Sequence, residues 1–212
     1  MILNFIFSHL NTIALGVWVA FLVVIAIRFF RPAWLRNISY SKLILVAIGL
    51  NIFYGLFVSW GQYHVWASAN DFTRSLVNLP LPKEVPMSYL FEWTRPLFQN
   101  HLGYFLYYII GRVWLNIFVS FLISGAVYLL FRIWNSYRGG FIEKGPELLL
   151  ILMLISGFPD IMILIPLGFI FAIFLFTFYY FKKGHKNVEI EPAFIFATLF
   201  ALLFTNIILS LI

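Results

Sequence analysis

The chain has 212 residues, of which 63% are apolar and only 10% charged, with a mean hydropathy of +0.96. Soluble domains carry roughly 25% charged residues, so this chain cannot clothe itself for water and describes an integral membrane protein instead. Zero cysteines exclude thiolate catalysis, Cys-bound zinc and iron–sulfur clusters, while the formal charge of +6 gathers in short loops and suggests no nucleic acid.

A helix needs roughly 20 mostly apolar residues to cross a hydrocarbon core of about 30 Å. The first such stretch is 5–30, and the second is 43–60, closed by Gly61. A third, 102–134, is too long for one simple span. Its deep part is read as 112–131, with 101–111 lying along the interface or extending the helix. The fourth, 147–158, is short and ends at the turn-like tetrapeptide Gly157-Phe158-Pro159-Asp160. The fifth, 161–181, contains Pro166, and the sixth covers 193–212. The expected fold is therefore all-α, a polytopic transmembrane helical bundle of about six spans in a single integral membrane domain.

Short loops rich in lysine and arginine stay on the cytoplasmic side. The first span lacks a basic start and is followed by Arg28, Arg31, Arg36 and Lys42, so it is not read as a cleaved signal peptide. Six spans put those four cations inside, with Arg132, Arg138, Lys144, Lys182, Lys183 and Lys186. They leave Arg74, Lys83, Arg95 and Arg112 on or toward the outside. Both termini are then expected outside. Trp34, Trp60, Trp134, Tyr179 and Tyr180 fall where interfacial aromatic belts form. Fusing the fourth and fifth spans would put the lysine loop on the wrong side. The one long extramembrane segment, 62–100, is expected on the outer face. It carries four prolines, balanced charge and interspersed aromatics (Trp66, Phe72, Phe91, Trp93), which reads as an ordered lid or interfacial hairpin.

Hydrocarbon penalises polar groups, so those inside the spans are candidates for function. Arg112, Asn116, Ser120 and Ser124 recur at four-residue spacing, the spacing of one helical face, and Asn51, Gly55 and Ser59 repeat it on the second span. One reading is an outward polar cavity around Arg112, with Asp160, Asp71 or Glu92 as counter-ion, as in a small transporter or lipid-handling protein. The other is ordinary helix packing, in which small and hydroxyl residues let helices approach and polar groups near an interface bond locally or snorkel. The four histidines show no metal-ligand spacing, so neither metal nor cofactor is expected. No G-x-S-x-G, P-loop or G-x-G-x-x-G occurs.

The stretch Tyr137-Arg-Gly-Gly-Phe-Ile-Glu-Lys-Gly-Pro-Glu147-Leu-Leu-Leu-Ile-Leu is followed by a short apolar helix, a Gly-Phe-Pro turn and a long apolar span. A lysine loop and Val188-Glu-Ile-Glu-Pro192-Ala-Phe come next, and the first basic loop holds Leu35-Arg36-Asn37-Ile38-Ser39-Tyr40. This order of features resembles the type IV prepilin peptidases, polytopic aspartic proteases in which a Gly-rich cytoplasmic loop leads into a G-x-G-D motif opening a Leu-rich helix. Their chemistry requires two carboxylates sharing a proton. At the first acidic position this chain has Arg28 or Phe29, and at the second Pro146 or Glu147.

The resemblance thus implies a degenerate member, a pseudoenzyme of a bacterial or archaeal cytoplasmic membrane that works as a binding or assembly component. Its implied partners are membrane lipids, other membrane proteins or pilin-like substrates. Were it an active peptidase, Glu143 and Glu147, at i, i+4 on one face, would be the catalytic pair. Glu147 also has a structural role open to it, since an acid in a first helical turn behind a proline complements the helix dipole. A third expectation, independent of the resemblance, is a structural subunit of a larger membrane complex, using its phenylalanine faces for contact.

Overall fold

The computed structural model describes residues 7–138, 145–183 and 189–209, and among these every regular element is helical. In chain order they are α1 (Leu10–Phe30), α2 (Tyr40–Ala69), α3 (Asp71–Val77), a 3₁₀ segment (Tyr89–Phe98), α4 (Gly103–Ile109), a π turn (Ile110–Trp114), α5 (Leu115–Arg138), α6 (Gly145–Ser156), α7 (Ile161–Lys183) and α8 (Glu191–Leu209). Four helical runs are long and apolar enough to cross a membrane: Leu10–Phe30, Tyr40–Ala69, Gly103–Tyr137 and Ile161–Phe181. The chain divides into two compact units, one made by Met1–Asn51 with Val119–Ile212 and the other by Ile52–Phe118.

The larger unit is organised around α6. This helix is 12 residues long, about 18 Å at 1.5 Å per residue, which is short for a bilayer. Every residue in it except Glu147 and Leu150 is buried. A helix apolar all round belongs in an interior, and here α1, α7 and α8 enclose it. The 147–158 stretch is thus a protein-buried helix rather than a lipid-facing one. The chain turns between α6 and α7 because Gly157 adopts a φ of +71°, the left-handed conformation that ends helices, with its N–H returning to the Met153 carbonyl at 3.0 Å. Helix α8 turns a stripe of small residues inward, Ala193, Ala197, Ala201 and Thr205, all buried. Small side chains at four-residue spacing let two helices approach closely in lipid, and α8 makes its most extensive contact with α7. Gly168 of α7 lies directly under the Phe194 ring.

One boundary differs from the sequence reading, and one choice that reading left open is decided. Helix α2 does not stop at Gly61 but continues to Ala69, since a glycine inside an apolar helix weakens it without breaking it. The 101–111 stretch extends the following helix: α4 passes through the π turn into α5 without interruption. Residues 62–69, assigned to the extramembrane segment, are therefore helical.

The smaller unit is held by aromatic contacts and one arginine. The Trp66 ring meets Tyr108 at 4.7 Å and Phe105 at 5.7 Å between ring centroids, and Phe98 meets Tyr107 edge-on at 5.8 Å. Trp114 donates its indole N–H to Ser59 Oγ at 3.1 Å, a way for an intramembrane indole to find a partner. Asn70 and Thr73 form a reciprocal capping box that starts α3. Arg95 pairs with Glu92 and reaches the Val85 carbonyl at 3.0 Å, tying the 3₁₀ segment to the proline-rich strap before it. The same guanidinium holds the Glu92 carboxyl below its usual range.

Candidate functional site

The strongest site in the described residues lies at one end of the larger unit, where four helix termini meet. Arg28 occupies the last turn of α1, where the helix dipole favours a cation. The loop after α1 folds back over it: Arg28 Nε donates to the Ile38 carbonyl at 2.8 Å and Nη1 to the Pro32 carbonyl at 3.3 Å. Its guanidinium carbon sits 5.6 Å from the centre of the Tyr40 ring, a cation–π distance. Tyr40 opens α2, Gly145 opens α6 and Glu191 opens α8. Together with Phe29, Phe30, Pro32, Leu148 and Glu189, these residues line a pocket of about 370 Å³.

Two carboxylates face that pocket. Glu191 is only 3% exposed, yet its Oε1 has no hydrogen-bond partner among the described residues. Glu189, two residues earlier and exposed, is near enough to act on it as a like charge. A buried carboxylate oxygen with no donor is costly, and an ordered water, an ion or a ligand is what completes its bonding.

The structure distributes the sequence-derived candidates as follows. Glu147 lies in the first turn of α6 beside the pocket-lining Gly145 and Leu148, half-buried, its Oε2 without a hydrogen-bond partner among the described residues. Glu143 falls outside the described residues, so the Glu143/Glu147 pair has only one described member. Asn51 is buried and useful: its Nδ2 donates at 3.0 Å both to Ala47 of its own helix and to the Leu154 carbonyl of α6. Ser120 and Ser124 are buried with no hydrogen-bond partner among the described residues, whereas Arg112 and Asn116 are exposed. Asn116 Nδ2 bonds the Arg112 carbonyl at 3.2 Å, and the Arg112 guanidinium lies 5.8 Å from the Tyr108 ring centre. Among the counter-ions considered, Glu92 pairs with Arg95 and Asp71 approaches Arg74 at 3.8 Å. Thr205, near the far end of α8, donates its hydroxyl to the Ala201 carbonyl at 2.7 Å and lies close enough to Asp160 to act on it, while burial raises the Asp160 carboxyl to about 6. No group of three or more metal-ligating side chains occurs among the described residues.

Sequence reasoning missed Tyr40, Glu189 and Glu191 as site residues and treated Arg28 as an orienting charge, standing where the resembled family has an acid. The available signal was the Glu-Ile-Glu-Pro run, which opens an apolar helix with two acids where the dipole requires at most one.

The four long apolar runs define the class, a helical integral membrane protein. Comparison with protein-family models, curated proteins and solved structures yields no match for this chain.

Proposed function

We propose that this chain crosses the membrane six times with both termini outside and acts as a non-catalytic binding or assembly component, similar in layout to a prepilin peptidase without its aspartate dyad. The observation that carries the reading is the pocket itself. Arg28 and Phe29, at the position where the family has an acid, share it with Gly145 and Leu148 at the start of α6. A water-activating pair shares a proton between two carboxylates. Here the buried Glu191 oxygen bonds no second carboxylate among the described residues, and Glu147 does not line the pocket. The arrangement favours holding a ligand over hydrolysing one. Incubating the purified full chain with a prepilin-type leader peptide is expected to give no cleavage above a buffer blank. Cleavage that disappears in Glu147→Gln would overturn the non-catalytic reading.

The directions of the helices support six crossings. One end of the larger unit gathers the close of α1 and the openings of α2, α6 and α8, while Asp160 before α7 meets Thr205 late in α8 at the other. Consecutive helices alternate on this pattern, as six crossings require. Because the chain has no cysteine, single cysteines report sidedness cleanly. Arg36→Cys and Lys183→Cys are expected to react with a membrane-impermeant maleimide only after cells are permeabilised, and Ser88→Cys in intact cells. Labelling of Lys183→Cys in intact cells would remove the α6 crossing.

A further inference from the structure

We infer that the pocket at the meeting of α1, α2, α6 and α8 binds a phosphoethanolamine group, taking the ammonium on Glu191 and the phosphate on Arg28. This inference rests on reading the pocket as a binding site and is independent of whether any proteolysis occurs.

The cationic half is recognised by Glu191. The residue is almost wholly removed from solvent and lines the cavity; the backbone N–H groups of Ile190 and Glu191 act on its carboxylate, yet Oε1 has no hydrogen-bond partner among the described residues. That oxygen requires an N–H, which a primary ammonium supplies and a quaternary one does not. The aromatic alternative for a methylated cation is already taken, because the Arg28 guanidinium lies over the Tyr40 ring. Glu189 at the rim adds a second negative charge on the same side.

The anionic half is recognised by Arg28. Carbonyls use its Nε and one Nη1 hydrogen, and among the described residues Nη2 has no partner, so a forked pair of donors remains. Arginine holds phosphate through such pairs. Gly145 places the first turn of α6, whose dipole favours negative charge, on the same cavity. A guanidinium and a buried carboxylate in one cavity match a zwitterion better than either ion alone. Two sources carry this chemistry, the head group of phosphatidylethanolamine and free phosphoethanolamine. The cavity's place at the ends of apolar helices suits both.

The test uses the purified full chain in detergent, stripped of lipid, titrated with dihexanoyl phosphatidylethanolamine, phosphatidylglycerol and phosphatidylcholine. The ethanolamine lipid should bind saturably and at least ten-fold tighter than the choline lipid. Glu191→Gln should lower its affinity ten-fold or more while changing phosphatidylglycerol binding less than two-fold, and Arg28→Gln should weaken both. Competition by free phosphoethanolamine identifies the soluble group as sufficient, and its failure to compete identifies the lipid. Equal binding of ethanolamine and choline lipids overturns the inference, as does a folded Glu191→Gln chain that binds like wild type. Should Glu191→Gln fail to give a monodisperse protein, the ethanolamine-over-choline preference of the unaltered chain decides. Leader cleavage by the same preparation would remove the non-catalytic reading and leave this binding result standing.

Discussion

Gly103→Ala is expected to destabilise the smaller unit by about 3 kcal/mol, toward the upper end of what overpacking costs. A Cβ at this position would lie 1.6 Å from the Phe98 carbonyl oxygen, 2.5 Å from its carbon and 3.0 Å from the Leu81 nitrogen. All three are backbone atoms, so no rotamer change relieves the clash. The Phe98 oxygen also accepts from Leu81 N–H at 3.0 Å, and the adjacent Tyr104 N–H bonds the Leu79 carbonyl at 3.0 Å. Moving the chain to admit one methyl group would therefore open the junction that fastens the proline-rich strap to α4. Limited proteolysis in detergent should show the 79–104 segment cut several-fold faster than in wild type. Unchanged protection would mean that this close approach does not exist.

Gly168→Ala should cost about 2 kcal/mol by a related mechanism with a softer neighbour. The new Cβ would stand 2.3 Å from Phe194 Cε1. That atom belongs to a side chain, which can turn in principle, but Phe194 is 3% exposed and meets Phe169 edge-on at 5.5 Å. The ring has little room to yield, so α7 and α8 must separate. Because the obstacle is one ring, Gly168→Ala combined with Phe194→Leu should recover at least half of the lost thermal stability. A single variant as stable as wild type, or a double variant no better than the single, would show that the two helices do not meet at this point.

Several features were readable in the amino-acid order because they depend on neighbours in the chain. Gly157 and Pro159 break the helix between α6 and α7, as a left-handed glycine followed by a proline must, and the basic residues fall together after α1. Gly61 misled for the same local reason: its intrinsic cost is about 1 kcal/mol, too little to stop an apolar helix. The polar stripe of α5 divided between surface and interior for a geometric reason. A step of four residues overshoots a full turn by about 40°, so Asn116 and Ser124 point in directions about 80° apart. Asn116 is exposed and Ser124 fully buried. Asn51 was visible as a polar residue in lipid, but its partner, the Leu154 carbonyl, is 103 positions away.

Hydropathy and charge along the chain were thus enough to determine that lipid is the solvent of this protein and that helices carry it, because a backbone in hydrocarbon must satisfy its hydrogen bonds within each segment. Only the tertiary structure decided that the short apolar helix α6 is enclosed by protein, and that Arg28 shares a cavity with Glu189 and Glu191. Periodicity says which residues face away from water, but not which helix they meet. Those partners are chosen by close packing among segments far apart in sequence.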